Sequence, residues 1–406
     1  MKNEKITLQS NTVSEFSDLL YPKDDNNFFS KYWEKQPLVI RRDNPDYYSG
    51  LFSIKDVDVV LALNQFKSPD IRVVKNQEPL LPSKYENPDG TLKLNHLYTS
   101  YADGYTVVIN ELQRFWQPLR VLCQNIQNQL SHQVVANMYL TPKEQKALMP
   151  HYDTHDVIVL QVYGKKHWKV YDCTTETPLL HSFQPIFQRS QLGKPKEITL
   201  QAGDMMYMPR GYPHEAMTSD ESSLHLTIGI HPDQWVDLLT NALKKMAFTD
   251  VEFRKALPPG YLNFNNLTPE VVNGMMNTFN RLINQFSKNA DARGALQLLG
   301  ESFRNKVILA GDGHFEQIDR MGDLQLDTLV EKRQKMNARV VQNGQFSWIS
   351  FPGNTIKGPA HIASALHFIS ASGNPFKINE LPSISDKNKI KLTQRLLRGG
   401  LLKVTE

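Results

Sequence analysis

The sequence predicts a mixed α and β protein built on a jelly roll, followed by a helical segment and a compact winged-helix-like end. Three observations predict it. Between Val134 and Ile230 the chain runs as short β-rich stretches punctuated by Gly, Pro, Asp and Ser, the pattern of a sandwich, jelly roll or barrel. After Pro232 the apolar residues fall at three- and four-residue steps, the period of helices. Beyond about residue 306 a shorter αβ pattern closes the chain. With 406 residues the chain exceeds the size at which one core stops growing. The expected domains are 1–233, 234–305 and 306–406.

Taken in order, Phe28 to Ile40 reads as a short helix running into a strand. Glu111 to Gln129 carries Leu112, Phe115, Trp116, Leu119, Leu122 and Ile126 at helical spacing. The β region divides into Val134–Leu140, Asp156–Tyr163, His167–Tyr171, Glu197–Leu200, Met205–Met208, His214–Thr218 and Ser223–Ile230. Trp235–Phe248 and Pro269–Ser287 follow as helices, parted by Pro258-Pro259-Gly260. At the end, Pro359–Ser372 and Asp386–Leu397 read as helices, and Leu401 to Val404 as a strand after Gly399-Gly400. That order is winged-helix-like.

Composition narrows the class. Forty per cent hydrophobic and 22% charged residues are ordinary for a soluble globular protein. A net charge of +4 permits an acidic or nucleic-acid partner but does not argue for one, and Lys387, Lys389, Lys391, Arg395 and Arg398 read equally as a solvated or a phosphate-binding helix face. Cys123 and Cys173 fit neither a disulfide framework nor a metal clip. Met1 to Glu15 lacks the apolar core of a secretory signal, and no apolar run reaches the length of a membrane span. A reducing cytoplasm is the expected compartment.

The chemistry starts at His151-Tyr152-Asp153. Residues two apart on a strand project together, so an imidazole and a carboxylate can grip one metal. One more histidine would complete the two-histidine, one-carboxylate face that leaves positions open on Fe(II). Alone, such a pair is weak, since His231-Pro232-Asp233 repeats it at a strand-ending turn. The second half is Gly203-Asp204-Met205-Met206-Tyr207-Met208-Pro209-Arg210-Gly211-Tyr212-Pro213-His214, which reads as turn, strand, turn and then histidine. Turn-making explains the glycines and the proline but not a histidine at the turn exit. Both halves, in order within the β-rich region, favour a metal site.

The ordered set of motifs resembles the JmjC-type ribosomal oxygenases, cupin hydroxylases acting on ribosomal-protein side chains. The likeness spans nearly the whole chain: Trp33-Glu34-Lys35-Gln36-Pro37-Leu38-Val39-Ile40, Asn137-Met138-Tyr139, His151-Tyr152-Asp153, Gly164-Lys165-Lys166-His167-Trp168, Pro209 to His214, and Leu224-His225-Leu226-Thr227. The resemblance implies a double-stranded β-helix core, a helical dimerisation segment and a homodimer. It implies Fe(II) on His151, Asp153 and His214, and 2-oxoglutarate as co-substrate. Lys166 stands at the family's partner for the distal carboxylate, with Asn137, Tyr139 and Thr227 lining the same site. Spacing alone leaves Lys166 open as a surface charge beside Lys165, and Tyr139 as a core aromatic.

His167 and His225 read as satisfied core histidines, and His155 as a residue that could face substrate. Gly229 stands where several family members carry serine. The implied reaction is hydroxylation of an Arg or His side chain of a polypeptide, a ribosomal protein first. The alternatives are the same chemistry on a precursor peptide or small molecule, and a non-catalytic metal-binding adaptor.

Overall fold

The structure is a computed structural model that describes residues 13–146, 148–180, 182, 186–262 and 268–405. Most of the N-terminal stretch read for a secretory signal lies outside them. No described helix is long and apolar enough to cross a membrane. The chain divides into two compact units, residues 1–232 with 307–406, and residues 233–306.

The first unit opens with helices α1 (Phe16–Leu20) and α2 (Asp25–Lys31), strand β1 (Leu38–Ile40), α3 (Ile54–Leu63), β2 (Ile71–Lys75), β3 (Glu78–Pro79), α4 (Leu94–Ala102), β4 (Thr106–Ile109) and α5 (Gln117–Leu130). The helix expected over 111–129 starts late. Leu112–Arg114 forms a single 3-10 turn, and Pro118 then occupies the first turn of α5, where a missing N–H costs nothing.

The β region follows as β5 (Gln133–Thr141), β6 (Asp156–Val170), β7 (Lys196–Gln201), β8 (Met205–Met208), β9 (His214–Met217) and β10 (Ser223–His231). These join in the order β1-β8-β6-β10-β5-β4-β2-β3, with β7 and β9 on the far half of β6. Asp156–Tyr163 and His167–Tyr171, expected as two strands, are one strand serving two partner sets. Its first half pairs with β8 and its second half with β7 and β9. The change happens at Gly164, whose φ of +62° puts an added Cβ into the Ser222 carbonyl. Only glycine sits there without strain.

Alternation along the central strands sorts the residues. Leu224, Leu226, Ile228 and Ile230 of β10 and Ile158, Leu160 and Val162 of β6 enter the main core. The opposite face of β10 carries His225, Thr227 and Gly229. A second cluster, Val157, Val159, Trp168, Val170, Leu200, Met206 and Met208, fills the space inside the roll. Period-two strands therefore build a dry core on one side and a lined cavity on the other.

In the second unit, α6 (Trp235–Thr249) and α7 (Pro269–Asn289) are helical as the spacing predicts, and a third helix, α8 (Ala292–Lys306), follows them. No residue of α7 is buried, and Val272, Met276, Phe279 and Ile283 form an exposed stripe.

Residues 307–406 hold α9 (His314–Asp319), β11 (Leu329–Lys332), β12 (Arg339–Asn343), β13 (Phe346–Phe351), β14 (Asn354–Pro359), α10 (Ala363–Ala371), β15 (Phe376–Lys377), α11 (Asp386–Arg398) and β16 (Leu402–Val404). They close around their own core, which includes Val330, Ile349, Leu366, Ile369, Leu396 and Leu402. The expected helices and terminal strand are present. The antiparallel β12–β13–β14 meander was not read from the sequence. Asn128 on α5 donates to the Gln334 carbonyl at 2.8 Å, and Lys335 pairs with Glu15 at 3.0 Å, tying this part to the N-terminal helices.

Candidate active site

His151 and His214 meet as an antiparallel bridge. The His214 N–H donates to the His151 carbonyl at 2.8 Å, and the His151 N–H returns the bond at 3.1 Å. The Gly211 N–H donates to the Asp153 carbonyl at 3.0 Å. The pair His151 and Asp153 thus lies just ahead of β6 rather than on a strand, held by the turn before His214.

Each ring is oriented by a backbone oxygen. His151 Nδ1–H donates to the Met149 carbonyl at 2.8 Å, and His214 Nδ1–H to the Tyr212 carbonyl at 3.1 Å. A carbonyl only accepts, so the proton sits on Nδ1 and each Nε2 keeps its lone pair. Asp153 Oδ2 stands 3.6 Å from His214 Nε2, and ligand atoms from all three residues lie within 4.8 Å of one another. Burial and the neighbouring His151 push His214 down to about 4, which keeps it the neutral base a metal requires. Two imidazoles and one carboxylate on one side suit a divalent iron with open positions.

The three residues line a cavity of ≈ 100 Å³ with Asn137, Tyr139, Val159, Lys166, His225 and Thr227. β5 and β10 are in register, pairing Tyr139 with His225 and Asn137 with Thr227. All four sequence-predicted co-substrate residues therefore share the site. The Tyr139 ring stacks on His225 at 4.9 Å, so the core-aromatic and site readings both describe it.

Lys166 separates cleanly from its neighbour. Lys165 turns outward to Asp220 and Glu221. Lys166 turns inward, 3% exposed, and donates to Thr141 Oγ1 at 3.0 Å. His225 Nδ1 is 3.5 Å from Lys166 Nζ, and no carboxylate is within ion-pair reach among the described residues. Burial alone lowers its pKa to about 7. Removing a lone ammonium from water is costly, and an arriving anion offsets that cost.

His225 was read as a core histidine. It is buried, yet its ring faces the cavity and touches Lys166, so that reading covered half its role. Thr141 was missed, although the alternation from Tyr139 would have found it. His167 is satisfied by Thr199 and Ser219, as expected. His155 lines the cavity and stacks on His231 at 4.3 Å. Gly229 lies beneath them, where an added Cβ would come within 2.9 Å of the His155 ring.

A family profile described as a JmjC domain matches residues 113–238. Over that stretch the chain is similar to the JmjC family. It is 35% identical over 265 residues to ribosomal oxygenase 1 of Danio rerio, covering 61% of this chain and 47% of that protein. To the bifunctional lysine-specific demethylase and histidyl-hydroxylase NO66 of Aedes aegypti it is 32% identical, covering 60% and 40%. The chain thus spans about half, or less, of the length of these curated relatives. Among solved structures, the Escherichia coli ribosomal oxygenase YcfD superposes with a TM-score of 0.53 at 15% identity, covering 94% of this chain and 98% of that one. YcfD has also been solved with cobalt and 2-oxoglutarate, a structure that superposes at 0.51 and 14% identity. The likeness shows a shared fold.

Proposed function

We propose that this chain is an Fe(II)- and 2-oxoglutarate-dependent hydroxylase acting on an Arg or His side chain of a polypeptide, with a ribosomal protein as the leading candidate. One observation carries the reading: the same cavity holds three convergent metal ligands and, beside them, a buried lysine without a carboxylate. His151, Asp153 and His214 would hold the iron. Lys166 and Thr141 would hold the far carboxylate of 2-oxoglutarate, with Tyr139, Asn137 and Thr227 along its length. Together the two groups, when bound, activate dioxygen and deliver one oxygen atom to an unactivated carbon.

The chain's own work is positional. The Nδ1–H bonds to Met149 and Tyr212 hold both imidazoles in one tautomer and orientation. Lys166 supplies its charge at a fixed distance from the metal end, where low dielectric strengthens the attraction. Val157, Val159 and Met208 keep water from the cavity wall. The polypeptide substrate rests on the names of the relatives, ribosomal oxygenase and histidyl-hydroxylase. The exposed α7 stripe supports a homodimer, and free Cys123 and Cys173 accord with a reducing cytoplasm.

The test incubates iron-loaded protein and 2-oxoglutarate with ribosomal proteins from its own source, reading succinate release and tandem mass spectra. A gain of one oxygen on one Arg or His side chain supports the proposal. Brisk turnover on a dedicated peptide or metabolite alone would overturn the substrate, and no 2-oxoglutarate turnover on any would leave a non-catalytic metal-binding adaptor.

A further inference from the structure

We infer that the buried Asp156–Arg210 ion pair, extended to Glu34, is a positioning device for the metal ligands; the inference rests on the ligand assignment above. Asp156 lies three residues past Asp153, and Arg210 four residues before His214. The two halves of the metal motif are far apart in sequence, and this pair joins them just behind the ligands. Arg210 NH1 donates to Asp156 Oδ2 at 2.7 Å, and the Arg210 backbone N–H to Asp156 Oδ1 at 3.3 Å. The Tyr207 hydroxyl donates to the same Oδ1 at 3.0 Å. Asp156 is fully buried and the Arg210 side chain is 4% exposed.

The third arm reaches the opening motif. Arg210 NH2 pairs with Glu34, and the Glu34 N–H donates to the Tyr207 hydroxyl at 3.0 Å. Trp33 stacks on Tyr207 with ring planes 16° apart. Nothing in the ligand set uses Trp33 or Glu34, yet both serve the residues that hold the pair. The geometry continues through the backbone: Gly211, the residue after Arg210, donates to the Asp153 carbonyl. A shift of Arg210 is therefore passed to Asp153 on one side and to His214 on the other.

A buried ion pair is weak evidence for stability alone, because hydrophobic residues of equal volume often hold a fold as well. Its directional geometry, one guanidinium N–H to Asp156 and another to Glu34, is what a ligand frame needs, since ligands held loosely by their supporting groups lose metal affinity by about 10- to 100-fold. Asp156, Arg210 and Glu34 act through Asp153 and His214 and touch neither metal nor substrate.

The experiment titrates Co(II) into the full-length protein and its Asp156→Asn, Arg210→Lys and Glu34→Gln variants, reading affinity and the visible ligand-field band. Folding is followed by circular dichroism. The expected result is at least tenfold weaker Co(II) binding and a shifted band for folded Asp156→Asn or Arg210→Lys, with a smaller shift of the same kind for Glu34→Gln. Asp312→Asn is the control: it breaks an arginine–aspartate pair elsewhere in the fold, the bidentate Arg333–Asp312, and should lower the melting temperature while leaving the band unchanged. Wild-type affinity and band in folded Asp156→Asn and Arg210→Lys would overturn the inference. Should both fail to fold, an unchanged band in Glu34→Gln would overturn it. Wild-type protein that takes up no Co(II) would instead sink the ligand assignment, and this inference with it.

Discussion

Lys166 donates to Thr141 across the β5–β6 side of the cavity, 3.0 Å from ammonium to hydroxyl, and among the described residues no carboxylate compensates its charge. Most of what the site does with an anion follows from that contact.

Affinity for 2-oxoglutarate should fall with pH. Burial places Lys166 at about 7 in the free protein, and a carboxylate partner favours its charged form. Above pH 7 the lysine must therefore take up a proton on binding, and each further unit weakens binding by up to about tenfold. Below pH 7 the ammonium is already formed, so its contribution levels off. Calorimetry on Mn(II)-loaded protein at pH 6.5, 7.5 and 8.5, in buffers of differing ionisation enthalpy, reads both the slope and the proton uptake. Equal affinity throughout, with no proton taken up, would show that Lys166 is not the partner.

Truncating the same lysine should cost more than a surface charge would. Leaving a buried carboxylate unpaired costs about 2–5 kcal/mol, or roughly 30- to several-thousand-fold in affinity. Lys165→Ala, on the opposite face of β6, is the control and should change 2-oxoglutarate binding less than twofold. A change below threefold for Lys166→Ala in the same titration would remove it from the site.

His151→Ala and Asp153→Ala should each abolish iron binding and succinate formation in a folded protein. His151 also bridges to His214 through its backbone, which alanine preserves. Inductively coupled plasma analysis of iron after anaerobic loading gives the answer independently of turnover. Retained stoichiometric iron in either variant would delete that residue from the ligand set.

Gly229→Ser should disturb the neighbouring wall of the cavity. The new Cβ would meet His155 Cδ2 at 2.9 Å, tighter than van der Waals contact allows, with His231 Nε2 already in contact at 3.4 Å, so the His155 ring must move. The expected signs are displaced His155 and His231 ring resonances and a loss of about 1–3 kcal/mol in stability from overpacking. Unchanged ring resonances and melting temperature would show the stack has room that the structure does not give it.

The exposed α7 stripe is the surface on which the proposed homodimer would form. Phe279→Glu should convert a dimer to a monomer in light scattering at micromolar concentration. A wild-type monomer would end the homodimer proposal.

Much of the fold and the candidate site was legible because it depends on local order. Short β-rich runs between turn residues marked β5 to β10, helical spacing marked α6 and α7, a compact αβ pattern marked α10 and α11, and a histidine at a turn exit marked His214. The proposed ligand set needed only residue type, spacing and order along the chain. What the sequence left open was decided by pairing between distant segments. Lys165 and Lys166 are chemically alike neighbours, and only the seating of β6 between β7 and β9 turns one to Asp220 and the other to Thr141. His225 read as core because its neighbours are apolar, but the register of β10 against β5 gives one face of the strand to the core and the other to the cavity. The break at Gly164, which lets one strand serve two sheets, shows only when the Ser222 carbonyl lies beside it. Composition and periodicity are properties of a segment, whereas burial, partner and register belong to the two segments that meet. Sequence alone therefore determined which residues could form the site, and tertiary structure decided which of their faces do.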